Sequence, residues 1–63
     1  MSPLLYKVSE AAELLNVPRS AAYELVKNGS LISIRIPAGE GRAIRIPASE
    51  LERFIERMTE QET

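Results

Sequence analysis

The strongest constraint on this chain is a change of hydrophobic period near residue 30. Residues 8–28 place apolar side chains at helical spacing, interrupted at Asn16-Val17-Pro18. From Leu31 onward apolar and polar side chains alternate as in a strand, and turn-forming residues at 37–42 separate two such runs. The segment therefore predicts two short helices joined by a tight turn, followed directly by a β-hairpin.

The first helix is predicted over Glu10–Leu15. Ser9 is its predicted N-cap, because a serine hydroxyl can accept hydrogen bonds from first-turn amides. The small side chain of Ala12 lies midway along the apolar face and would let a second helix approach closely. Asn16 tolerates the left-handed conformation that ends a helix, and Pro18 suits the start of the next one.

The second helix is predicted from about Arg19 to Asn28, with Gly29 just after its C-terminus. At about 100° per residue, the apolar side chains of this helix point to one side. That apolar base consists of Ala22, Leu25 and Val26. The opposite side is an outward stripe made of Arg19, Ser20, Tyr23 and Lys27.

In the predicted hairpin, the isoleucines at 32, 34 and 36 share one face and Arg35 lies on the other. Ile44 and Ile46 share a face of the return strand, with Arg45 opposite them. Because 35 and 45 have the same parity, we expect Arg35 and Arg45 on one face, directly opposite each other if the turn centres on Glu40. Like charges in that position are destabilising, and a phosphate between them would remove the penalty.

A third helix is predicted after Pro47, where Ser49 and Glu52 match the spacing of a capping box. Residues 59–63 are expected to form a frayed polar tail. The chain of 63 residues is long enough for one domain, predicted over 1–63. The resulting order, α-α-β-β-α, predicts a mainly α fold with a small β-hairpin, which is a winged helix-turn-helix.

Composition argues against several classes of function. The chain has no Cys and no His, so we expect no disulfide, no catalytic residue, no cofactor and no metal. Gly39-Glu40-Gly41 lacks the Gly-Lys-Ser/Thr ending of a phosphate loop, which favours a hairpin turn. The apolar runs are too short to span a membrane, and the N-terminus does not resemble a signal peptide. We therefore expect a cytoplasmic protein.

Charge is distributed unevenly along the chain, whose net charge is −1. Residues 18–47 carry five basic and two acidic side chains, a net charge of +3. The two flanks carry three basic and seven acidic side chains, a net charge of −4. This asymmetry favours binding of a polyanion by the central segment.

The outward stripe has the chemistry of a helix that reads DNA. The major groove admits one α-helix, whose N-terminal part reaches the base edges. Arg19 and Ser20 are therefore predicted base contacts, and Lys27 a phosphate contact. The ring of Tyr23 can contact a thymine methyl or a sugar, and its hydroxyl can reach a phosphate. On the hairpin, the side chains predicted to follow the adjacent backbone or minor groove are Arg35, Arg42 and Arg45.

Most of these side chains also have a purely structural interpretation. Arg19 can be a solvated first-turn residue, Ser20 a helix-start residue, and Tyr23 a packing partner of the hairpin. Lys27 can complement the C-terminal end of the helix dipole. Arg35 and Arg45 can protect an edge strand against aggregation.

The stretch from Tyr6 to about Ile55 resembles the small winged-helix domains of the excisionase and MerR-like group. The segments that carry the resemblance are YKVSEAAELLNV, RSAAYELV and RIP with SEL. The family pattern usually has Gly at the turn between the helices, where this chain has Asn16.

The resemblance implies that the second helix enters the major groove and that the wing contacts the neighbouring backbone. Excisionases of this group are non-catalytic. They bind repeated sites beside an attachment site, bend the DNA and direct an integrase toward excision. The implied partners are double-stranded DNA, an integrase and further copies on adjacent sites. The alternatives are a small MerR-like transcriptional regulator and a protein-interaction module that uses the acidic third helix, with Leu14 and Met58 at its border.

Overall fold

The computed structural model describes residues 3–61. The predicted order α-α-β-β-α is confirmed, with one short strand added in front of it. The fold is a winged helix-turn-helix with a three-stranded antiparallel sheet in the order β1-β3-β2. Its elements are β1 (Leu5–Tyr6), α1 (Val8–Leu15), α2 (Arg19–Lys27), β2 (Ile34–Ala38), β3 (Gly41–Pro47) and α3 (Ala48–Gln61).

Helix α1 begins at Val8, two residues earlier than predicted. Tyr6 pairs with Ile46 of β3, which keeps the chain extended up to Lys7, the N-cap. The Lys7 backbone N–H donates to the Glu10 carboxylate at 2.8 Å, so this acidic side chain stabilises the helix start. The prediction that Ser9 caps the helix is wrong, because Ser9 already lies inside the first turn.

The turn between α1 and α2 forms as predicted. Asn16 has φ 59° and ψ 45°, the left-handed conformation. The amide of Val17 donates to the Ala12 carbonyl at 3.0 Å, and Pro18 is the extended N-cap of α2. Val17 also packs against the core.

Helices α1 and α2 contribute three alanine side chains to the core. Ala11 and Ala22 are fully buried and Ala12 is nearly so. Small side chains at a helix crossing let the two backbones approach closely. The burial of Ala12 agrees with the prediction that its small side chain lies on the inner face of α1.

Helix α2 ends one residue before the predicted boundary, with Asn28 as its C-cap and Gly29 at φ 82°. Glycine suits that position because it adopts positive φ without steric cost. The amide of Leu31 then donates to the Leu25 carbonyl at 3.0 Å, and the Leu31 side chain enters the core. The Ser30 carbonyl accepts a hydrogen bond of 2.6 Å from an Arg57 guanidinium nitrogen, which ties α3 to the loop after α2.

The hairpin turns over two residues, Gly39 and Glu40, with Ala38 paired to Gly41. Gly39 has φ 62° and Glu40 has negative φ, the pattern of a type II′ turn, whose twist matches that of the strands. A two-residue turn pairs positions of opposite parity, so Arg35 lies opposite Ile44 and Arg45 opposite Ile34. The prediction that Arg35 and Arg45 share a face is therefore wrong, and the turn is not centred on Glu40, the condition under which they would lie directly opposite each other.

This register gives the two faces of the wing different environments. Arg35, Arg42 and Ile44 share a face with the fully buried Ile46, which points toward the helices. Ile34 lies on the opposite face and remains 40% exposed. The isoleucine run in β2 is therefore not part of the core.

Helix α3 begins at Ala48, whose amide donates to the Leu4 carbonyl at 2.9 Å. The predicted capping box of Ser49 and Glu52 is wrong, because the chain passes from β3 directly into the helix and leaves Ser49 inside it. The core that α3 completes consists of Val8, Ala11, Ala12, Ala22, Leu31, Ile46, Leu51 and Phe54.

The far end of α3 is helical through Gln61. Residues 59–61, which the sequence assigned to a frayed tail, continue the helix, and the Thr59 hydroxyl donates to the Ile55 carbonyl at 2.8 Å. The rest of the predicted tail, residues 62–63, lies outside the described residues.

The left-handed residue between α1 and α2 gives a stability prediction. Asn16→Ala should lower the free energy of unfolding by about 1–2 kcal/mol, because alanine disfavours the left-handed region. Asn16→Gly should stay within about 0.5 kcal/mol of the parent protein. Urea unfolding followed by circular dichroism measures both, and equal stability of the two variants would contradict the assigned conformation.

Candidate nucleic-acid interface

Helix α2 separates its two sides as predicted. Ala22 is fully buried, and Leu25 and Val26 are half-buried against the core. The outward stripe is exposed along its whole length, which comprises Arg19, Ser20, Tyr23 and Lys27. The helix therefore presents its polar and aromatic groups to a partner without disturbing the core.

A cleft of about 340 Å³ lies between the start of α1, the N-terminal half of α2 and strand β3. Four basic side chains line it, and no acidic side chain does. Ser9, Tyr23 and Ile44 contribute to its walls. We call it the four-cation cleft after Lys7, Arg19, Arg42 and Arg45.

A second cleft, of about 380 Å³, lies between α2 and the wing on the other side of Tyr23. Lys27 and Arg35 line it, together with the acidic Glu24. Tyr23 and Ile44 line both clefts and so form a ridge between them. Although Tyr23 lines both clefts, it is 48% exposed and can therefore still contact a partner.

The predicted neighbours Arg35 and Arg45 belong to different clefts. The two arginines are therefore not placed to bind a single phosphate between them, as the sequence had suggested. Arg45 is half-buried, and its guanidinium donates to the Ile44 carbonyl at 2.9 Å. Strand β1 pairs with β3 only at Ile46 and Pro47, so Arg45 pairs on one side alone, with Ile34 of β2. Protection of an edge strand therefore remains an alternative for Arg45 as well as for Arg35 on β2.

Two residues of the four-cation cleft, Lys7 and Ser9, were missed by sequence reasoning. Strand β1 brings them there, because its pairing with β3 places the start of α1 next to Arg45. A two-residue strand has no measurable periodicity. The available signal was the apolar run Leu4-Leu5-Tyr6 directly before the helix.

Acidic side chains are concentrated elsewhere. Helix α3 contributes no residue to either cleft and exposes Glu52 and Glu56. On the same helix, Arg53 forms an ion pair with Glu50, with 3.8 Å between Nη1 and Oε2. Positive side chains are therefore concentrated on the side formed by α2 and the wing, and exposed acidic side chains lie on α3.

Among residues 3–61, no helix is long and apolar enough to cross a membrane. Within the same range, no group of three or more acidic, cysteine or histidine side chains is arranged to hold a metal ion.

Comparison with known proteins identifies the family. Neither the curated proteins nor the solved structures gave a match. Among protein families, the model of the helix-turn-helix domain matches residues 5–59, from β1 through most of α3. That match spans well over half of the chain and includes both helices and the wing, so the chain belongs to the helix-turn-helix domain family and is a small DNA-binding protein.

Proposed function

We propose that this protein is an excisionase, a non-catalytic protein that binds and bends attachment-site DNA and directs an integrase toward excision. The observation that carries the DNA-binding part is the placement of the α2 stripe beside the four-cation cleft, with the wing arginines on both sides of Tyr23. The excisionase part is supported by the resemblance of the stretch from Tyr6 to about Ile55.

In the proposed complex, α2 enters the major groove. An α-helix with its side chains is about 10–12 Å in diameter, which fits the major-groove width of roughly 12 Å, and the nine residues of α2 give it a length of about 13.5 Å. Arg19 and Ser20 at the N-terminal end approach the base edges. Arginine suits bidentate hydrogen bonding to guanine, and serine can donate to or accept from several bases.

The wing contacts the flanking backbone in this complex. Tyr23 and Ile44 form the ridge over which one DNA strand passes, with cations on both sides of it. Contacts of this kind fix the register of the protein and add affinity without reading sequence. Glu40 at the wing tip is acidic, so the arginines nearer the base of the wing supply its attraction to DNA.

Arg19 should carry sequence information. Arg19→Ala should cost about 1–3 kcal/mol of binding free energy at the preferred site and relax the preference at one base position. Fluorescence anisotropy with duplexes that differ at single positions measures both effects. Arg53→Ala is the matched control, because Arg53 lies on α3 and outside both clefts.

Arg45 should act on affinity alone. Arg45→Ala should weaken binding to all duplexes by a similar factor and lower the slope of log K against log salt concentration by about 1. A salt titration on preferred and scrambled duplexes provides the measurement. Loss of discrimination between the two duplexes would show that Arg45 reads bases instead.

An excision assay tests the biological role. With attachment-site DNA and its cognate integrase, the protein should raise the yield of excision products, and Arg19→Ala should reduce that yield. The end-to-end distance of a doubly labelled site, measured by fluorescence energy transfer, should shorten on binding. Specific binding without any effect on recombination would instead favour a small MerR-like transcriptional regulator.

A further inference from the structure

We propose that the four-cation cleft is the principal phosphate-binding site of this protein. In particular, Lys7, which precedes the two helices of the motif, contributes more to DNA affinity than Lys27 on the DNA-reading helix α2. The inference rests on the proposed binding of DNA through α2 and the wing. It identifies the group bound in the cleft as a backbone phosphate of duplex DNA.

Positive charge distinguishes the four-cation cleft. Its four basic side chains come from the N-cap of α1, helix α2 and strand β3, and none of the four forms an ion pair with a carboxylate among residues 3–61. Positive charges that share a cleft repel one another. A bound phosphate is attracted to each of them and offsets that repulsion. The hydroxyls of Ser9 and Tyr23 also line the cleft and can donate to phosphate oxygens.

Two hydrogen bonds hold the main chain of Lys7 in place. Its backbone N–H donates to the Glu10 carboxylate at 2.8 Å, and its carbonyl accepts from the Ala11 amide at 2.9 Å. The helix start thus fixes the main chain of Lys7, while its side chain stays exposed beside Arg45. The position is pre-organised without engaging the ammonium group.

Lys27 lies in a cleft with less positive charge than the four-cation cleft. Its cleft also contains Glu24, three residues earlier on the same side of α2. The charged side chains that line this second cleft sum to +1, and those of the four-cation cleft sum to +4. A phosphate is therefore drawn to the four-cation cleft, although Lys27 lies on the helix that reads the groove.

The experiment compares Lys7→Gln with Lys27→Gln, each of which removes one exposed positive charge. Binding to a fluorescent 20-base-pair duplex is followed across a salt titration. Lys7→Gln should bind about tenfold more weakly at 0.1 M salt, with a slope lower by about 1, as expected for loss of one phosphate contact. Lys27→Gln should change affinity by about twofold or less, and Lys7→Arg should keep the affinity of the parent protein.

Stability and a small-ion probe separate a binding role from a structural one. Both glutamine variants should unfold at the same urea concentration as the parent, because the hydrogen bonds of Lys7 at the helix start use only its backbone. In NMR titrations with inorganic phosphate, the amides of Ser9 and Arg42 should shift in the parent protein and much less in Lys7→Gln.

A larger loss for Lys27→Gln than for Lys7→Gln, or phosphate shifts confined to the second cleft, would overturn the inference. Salt-dependent binding by the parent protein would then still support the proposed function. Absence of any salt-dependent binding to duplex DNA by the parent protein would instead contradict the proposed function itself.

Discussion

The burial of Ile46 on the central strand β3 is the interaction on which the rest of the structure depends. This side chain is fully buried, and its residue pairs with Tyr6 of β1. The same pairing delivers Lys7 to the start of α1, and the neighbouring Leu4 carbonyl receives the first amide of α3. One strand position thus connects the wing, the first helix and the last helix. The pairing of β1 with β3 places Lys7 and the start of α1 near Arg45, and these residues line the four-cation cleft together with Arg19 of α2.

The core of this domain is small. Only eight apolar side chains are buried among residues 3–61, and three of them are alanines of α1 and α2. A domain of this size has little stability in reserve. The sequence therefore uses the inner side of α2 for packing and leaves the outer side to polar groups. The hydrogen bond from Arg57 to the Ser30 carbonyl steadies the loop after α2 without adding to the core.

The sequence predicts the helices well and the wing less well, for identifiable physical reasons. Asn16 and Gly29 mark both helix ends, because few residues tolerate positive φ. The sequence has a glycine on each side of Glu40, so the register of the hairpin depends on which of the two takes the positive φ. Gly39 takes it, and that choice moves Arg45 to the other face from Arg35. The predictions that Ser9 and Ser49 cap their helices failed because α1 and α3 begin earlier than predicted. Pairing of β1 with β3, a tertiary contact, sets both starting points.

We expect DNA to bind to one face of the molecule, formed by α2 and the wing. NMR of the ¹⁵N-labelled protein, titrated with duplex DNA that contains its preferred site, tests this most directly. Amide shifts should concentrate at residues 7–9, along the outward stripe of α2 and at Arg42 and Arg45. The amides of Arg53 and Glu56 on α3 should move little. The largest shifts along α3, with the α2 stripe unchanged, would contradict this expectation.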